Sequence, residues 1–202
     1  VLLHPEAGTN VVAHFPSASQ ADFSGCEVVV SSRVEIPRMT AAPIEPRSGA
    51  AYWTAEGRLV HYSACQGAHL TRDMLALLYD LPKDRVRAVV PDMGGGFGAK
   101  SRTGAEELTL AFLSRAVGRP VRWTETRTEN MQAMPQGRGQ IQHVKIGGTR
   151  DGKVLAFHLD VIADIGAYPM IGAFLPMMTQ RMATGVYEIP SVGFNGSSDR
   201  KS

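Results

Sequence analysis

Most of the residue patterns that announce a function are missing from this sequence. Its only cysteines are Cys26 and Cys65. With no C-x-x-C and no cysteine–histidine ligand spacing, neither a disulfide framework nor a structural zinc site organises the chain. So sparse a use of cysteine fits a reducing cytoplasm, the expected localisation. None of the six histidines belongs to an H-x-x-x-H or H-x-H pair that would put two ring nitrogens on one face, so no metal ligands are assigned. There is no G-x-S-x-G elbow, and no histidine adjoins either cysteine, which leaves nucleophilic hydrolysis without its parts. No apolar run is long enough to span a bilayer, so no membrane span is expected. A net charge of +2 with no basic run leaves no footprint for nucleic acid. No internal period stands out, which argues against a solenoid. The chain also lacks an initiating methionine and a leader pattern, and it fades into small polar residues. Both ends are therefore expected to lie within a longer protein.

What is present is ordinary globular material. A 44% apolar composition with nearly balanced charge over 202 residues can bury a real core. Residues 1–24 read as a connector, although 10–15 could pair as a strand. Residues 26–36 are rich in β-branched side chains and end at Pro37; a proline-broken loop follows. Residues 52–55 and 58–64 flank Glu56-Gly57 as a hairpin. Leu70, Met74, Leu77, Leu78 and Leu81 recur at helical spacing, so a helix follows Gln66. Residues 121–125 read as a strand and 127–134 as a short helix. Residues 140–148 and 153–163 form a second hairpin through Asp151-Gly152. The methionines at 170, 177, 178 and 182 read as adaptable core. Residues 191–202 read as a polar tail or truncation end. Mixed strands and helices indicate an α+β fold, a mixed sheet with helices packed on it.

The stretch around which the rest is arranged is residues 86–103, VRAVVPDMGGGFGAKSRT. A buried strand over 86–90 ends at Pro91, and four of the next residues are glycines, Gly94, Gly95, Gly96 and Gly98, which admit backbone shapes closed to other residues. Thr103 with Glu106 makes a T-x-x-E capping box for a helix to Val117, stopped by Gly118 and Pro120. The spacing is neither a G-x-G-x-x-G fingerprint nor a P-loop, so a nucleotide fold is not indicated and a plain tight turn is the competing reading. Gln66 enters one helix as the glycine loop enters the next, so the two turns could converge on one ligand. Its amide could orient an oxo or hydroxo group without adding charge. Glu106 and Glu107 read as first-turn acids, and Arg122, Arg127 and Arg138 as solvated surface.

Read together, Asp92-Met93-Gly94-Gly95-Gly96-Phe97-Gly98-Ala99-Lys100, Ile44-Glu45-Pro46-Arg47, Ser63-Ala64-Cys65-Gln66-Gly67-Ala68-His69, Arg119-Pro120-Val121-Arg122-Trp123 and Asp164-Ile165-Gly166-Ala167-Tyr168 occur in an order and spacing that carry a resemblance. They resemble segments of the molybdenum-binding large subunit of the xanthine dehydrogenase and aerobic carbon monoxide dehydrogenase family. The resemblance makes residues 25–190 an incomplete lobe of a molybdopterin-binding domain. It implies that Gln66 and Phe97 stand at the molybdenum centre, with Gln66 the catalytic contact, and that Gly95, Gly96 and Gly98 let backbone amides meet the cofactor.

The implied cofactor is molybdenum–molybdopterin, with its cytosine dinucleotide form left open. The implied partners are an iron–sulfur subunit and an FAD subunit or domains, the remainder of the large subunit, and a small-molecule substrate. The chain would thus be a fragment of a molybdenum hydroxylase oxidising an aldehyde, heterocycle or carbon monoxide, inactive in isolation because the family's glutamate base lies far downstream. Ala68 and Cys65 depart from the family's S-T-Q-x-P-H segment. Ser101 stands where purine-oxidising members carry a substrate-binding glutamate, which argues against purines. The alternative is a free-standing α+β binding or interaction domain without redox activity.

Overall fold

The computed structural model describes residues 1–200. The chain opens with β1 (Val11–Pro16), β2 (Val28–Ile36) and β3 (Met39–Thr40). Next come β4 (Ser48–Trp53), β5 (Leu59–Ser63), α1 (Ala68–Leu78), β6 (Val86–Val89), α2 (Ala105–Val117), β7 (Val121–Thr124) and α3 (Arg127–Ala133). The chain closes with β8 (Gln136–Gly137), β9 (Gln140–Gly148), β10 (Val154–Asp164), α4 (Leu175–Met182) and β11 (Ser191–Asp199). These elements form two compact units, one of Val1–Met39 with Gly137–Ser202 and one of Thr40–Gln136 inserted in it. Mixed sheets with packed helices bear out the α+β expectation.

The discontinuous unit is a five-stranded sheet in the order β1-β11-β10-β9-β2. β9 and β10 form the expected hairpin, and Gly152 supplies the left-handed turn at φ +98°. Leu159, Val161 and Phe194 make its core with Phe15, Val144 and Phe157.

Two expectations fail in this unit. Ser191–Asp199 is not a polar tail: it is an inner strand, parallel to β10 and antiparallel to β1, with Phe194 opposite Leu159. Its small residues are there for lack of room, since a Cβ on Gly193 would lie 2.5 Å from His158 Nδ1 and 2.7 Å from the Ala21 nitrogen. Ser198 is fully buried and donates to the Ala173 carbonyl at 2.6 Å. Within the connector segment the pairing allowed for residues 10–15 does occur, as β1 against β11. The methionine stretch is not core either, because α4 buries Pro176 and leaves Met178 and Met182 exposed one turn apart, as is Met170.

The inserted unit is a four-stranded sheet in the order β6-β5-β4-β7. β4 and β5 are the expected hairpin, with Gly57 at φ +76°. α1 carries the chain from β5 to its parallel neighbour β6, and α2 carries it on to β7. Ala51, Leu59, Leu75, Ala76, Val86, Leu110 and Ala111 close the core between sheet and helices.

Here too local expectations need adjustment. α1 exists, but its inner face is Thr71, Leu75 and Ala76, while Leu70, Leu77 and Leu78 are exposed. β6 is a strand buried at Val86, with Val89 and Val90 half-buried. The expected capping box does not form: the N-cap of α2 is Gly104, which has no side chain to accept with, and only the reciprocal half is made, by Glu107 and not Glu106, which accepts the Gly104 N–H at 3.0 Å. Thr103 bonds instead to the Thr71 hydroxyl at 2.6 Å.

Candidate functional site

Because β5 and β6 are parallel neighbours, with Tyr62 opposite Val89, their carboxyl ends reach the same edge of the sheet. The turns that follow, at Gln66 and at the glycine loop, therefore converge. The Gln66 N–H donates to the Lys100 carbonyl at 2.8 Å. Its side-chain Oε1 accepts the N–H of Gly98 at 2.9 Å and that of Lys100 at 3.2 Å. With the oxygen committed to the loop, the Nε2 group is turned away from it and donates to no protein acceptor among the described residues.

Each glycine of the loop answers a different demand. Gly95 and Gly98 sit at φ +105° and +88°, where a side chain is strained. Gly96 has ordinary backbone but no room, since a Cβ there would be 2.5 Å from Gln66 Oε1. A Cβ on Gly94 would be 2.6 Å from Glu45 Cβ. Phe97 is the exception, a non-glycine residue at φ +52° that is 78% exposed and whose ring lies against Gly95. Holding an aromatic residue in the left-handed region while exposing its ring costs stability, as residues at binding sites often do.

The loop leans on residues to which the sequence reading gave no role of their own. Glu45 Oε2 accepts the Gly94 N–H at 3.0 Å and the Lys100 ammonium at 2.8 Å, and Lys100 is only 1% exposed. Two residues on, the buried Arg47 guanidinium bonds both Glu125 and Glu106. Asn130 donates to Glu125, and Arg127 donates to the carbonyls of Pro43 and Ile44 at 2.6 and 2.8 Å. Arg127 is thus a brace for the E-P-R turn and not free surface. The only trace of this framework in the sequence was that E-P-R turn itself.

Glu107 is buried, and desolvation pushes its carboxyl up, although the Ser63 hydroxyl at 2.6 Å and the Gly104 N–H offset part of the effect. Cys65 is buried with its sulfur 3.0 Å from the Thr71 hydroxyl, so it packs behind Gln66 instead of facing out with it.

Among the described residues no group of three histidine, cysteine, aspartate or glutamate side chains could hold a metal. The groups left without a protein acceptor among the described residues are donors: the NH2 of exposed Gln66, the N–H groups of half-buried Gly95 and exposed Phe97, and that of Gly96, which is buried. The Gly98 N–H, expected to meet a cofactor, is taken by Gln66. A donor-rich loop without protein ligands fits a metal carried by an acceptor-rich organic cofactor.

Comparison with known proteins agrees with this geometry. The family model for the molybdopterin cofactor-binding domain matches residues 3–198. The chain is 32% identical over 177 residues to the carbon monoxide dehydrogenase large chain of Hydrogenophaga pseudoflava, covering 86% of this chain and 22% of that protein. It is 28% identical to the nicotinate dehydrogenase large molybdopterin subunit of Eubacterium barkeri, covering 94% of this chain and 45% of that one. Among solved structures, quinoline 2-oxidoreductase of Pseudomonas putida 86 superposes with a TM-score of 0.86 at 30% identity, over 95% of this chain and 25% of that one. The chain thus spans less than half the length of each of these relatives. With a match that runs through both units, the chain belongs to the molybdopterin cofactor-binding domain family.

Proposed function

We propose that this chain is the loop-bearing part of a molybdenum hydroxylase large subunit, which binds molybdenum–molybdopterin and helps to oxidise a small substrate. Electrons would pass to iron–sulfur centres and FAD on partner subunits or domains, and the remainder of the large subunit would complete the site. The observation that carries this reading is the divided carboxamide of Gln66, its oxygen bound to the loop and its NH2 left facing outward.

When bound, the cofactor supplies the redox and oxygen-transfer chemistry; the chain supplies placement. Gln66 offers a neutral donor, able to steady an electron-rich oxygen without adding charge. The N–H groups of Gly95 and Phe97 can hold acceptors of the pterin, buried Gly96 lets the loop close on the Gln66 carboxamide, and the Phe97 ring can wall the site against water. The relatives act, by name, on carbon monoxide, nicotinate and quinoline. So wide a range over one shared segment is consistent with substrate choice being made elsewhere in the subunit, and Ser101 in the place of a glutamate disfavours purines.

The test uses the full-length subunit with its partners. Molybdenum content, pterin content and substrate-dependent dye reduction are measured for wild type, Gly96→Val and Phe97→Ala beside thermal melts. Gly96→Val is expected to lose cofactor first, because its side chain occupies the space of the Gln66 carboxamide. Wild-type occupancy and turnover in both variants would remove the loop from the site. Mass analysis of the released cofactor decides whether a cytosine nucleotide is attached.

A further inference from the structure

We infer that Glu45 and Lys100 are positioning residues, an ionic clasp that holds the glycine loop and the Gln66 carboxamide in register for the cofactor. The inference rests on the reading of that loop as cofactor-binding and assigns the part of the chain that keeps it in shape.

A loop made largely of glycine has no side chains with which to pack, and it loses more freedom on ordering than any other sequence would. Its shape must be imposed from outside. One carboxylate oxygen does this at both ends: Glu45 Oε2 accepts the Gly94 N–H at 3.0 Å and the Lys100 ammonium at 2.8 Å. The Glu45 N–H returns to the Gly94 carbonyl at 3.3 Å, so the E-P-R turn and the start of the loop run as a short two-bond ladder. Lys100 then passes the constraint on. Its N–H donates to Gln66 Oε1 and its carbonyl accepts the Gln66 N–H, so the backbone of Lys100 brackets the amide proposed to face the cofactor.

The ammonium at the end of this chain of contacts is 1% exposed, and a buried cation persists only where it is paired. Burial alone would raise the Glu45 carboxyl, but the Lys100 ammonium and the Gly94 N–H outweigh it and hold the group below the usual carboxylate range. Glu45 is therefore ionised at neutral pH. It is also placed from a fixed base, because Arg47, two residues away, is locked to Glu125 and Glu106.

The experiment compares Glu45→Gln, Lys100→Met and the double variant Glu45→Gln/Lys100→Met in the full-length subunit with its partners. Two things are read: hydrogen exchange of the amides of residues 94–100 in cofactor-free protein, and the rate at which molybdenum and pterin are lost from loaded protein. Each single variant is expected to speed exchange of the Gly98 and Lys100 amides at least about tenfold, and to speed cofactor loss. The double variant removes the unpaired buried charge. It should recover much of the thermal midpoint while exchange stays fast, which separates loop shape from general stability.

Unchanged exchange in the double variant overturns the clasp, whatever the melting temperature, and leaves the cofactor reading untouched. Fast exchange with wild-type cofactor retention supports the clasp and overturns the reading of this loop as the cofactor's holder.

Discussion

The carboxamide oxygen of Gln66 accepts the backbone N–H of Gly98 at 2.9 Å, so the side chain proposed to face the cofactor is also a prop for the loop beside it. The two roles separate by substitution. Gln66→Ala strips an acceptor from two loop N–H groups, a loss of about 1–2 kcal/mol, read as a lowered thermal midpoint. Gln66→Glu keeps an oxygen toward Gly98 and Lys100 but replaces the outward NH2 with a second acceptor. It is expected to melt near wild type and to lose turnover and molybdenum occupancy. Wild-type turnover in Gln66→Glu would show that the outward NH2 has no part in the site.

The glycine loop, its preceding strand and its following helix were legible because each is a local matter: β-branched residues, a proline, glycines and a stop at Gly118. That Gln66 lies beside the loop was not, because it depends on β5 and β6 pairing in parallel across the whole of α1. Long-range pairing also hid β11, whose glycines and serines look like a tail until Ala21, His158 and Pro176 are found pressed against them. In α1 the leucine spacing located the helix but not its inner face, which is Thr71, Leu75 and Ala76. The framework under the loop was illegible for the same reason. Arg47 is 78 residues from Glu125 in sequence, and Arg47, Glu125 and Asn130 each read alone as surface.

His61 is fully buried on β5, with neither ring nitrogen hydrogen-bonded, and burial lowers its pKa from 6.5 to about 4. A histidine whose folded pKa lies below its unfolded value favours folding most above the unfolded pKa. Stability is expected to be full above pH 6.5 and to fall as pH drops toward 4. The difference amounts to about 3 kcal/mol. Glu107, whose folded pKa is raised, acts in the opposite sense by losing stability as pH rises from 4.5 through that folded value. The comparison of wild type with His61→Leu therefore isolates the histidine. Melts from pH 7.5 to 4.5 should show a smaller acid loss in His61→Leu; parallel curves would show that the ring is not buried neutral.

Arg47 makes the strongest demand on the stability of the inserted unit. Its side chain is 6% exposed and that of Glu125 is 0%; they meet at 2.8 and 2.9 Å, and the Arg47 N–H donates to Glu125 Oε1 at 2.6 Å. Glu106 takes the outer edge of the guanidinium at 3.0 and 3.3 Å, and the plane lies 5.6 Å from the Trp123 ring centre. Removing one partner of such a pair leaves the other charged and dry. Arg47→Met is therefore expected to cost about 3–5 kcal/mol. Arg47→Lys should recover little of it, because a point ammonium cannot reach Glu125 and Glu106 with the same planar fork. Glu125→Gln should be milder, since Glu106 still faces the guanidinium and an amide can still accept the Arg47 N–H. The double variant Arg47→Met/Glu125→Leu removes both charges and should regain much of the loss, as apolar replacements of buried pairs do. Denaturant melts of the four variants decide the matter: if Arg47→Lys equals wild type, the fork geometry is not what holds the E-P-R turn to the end of β7.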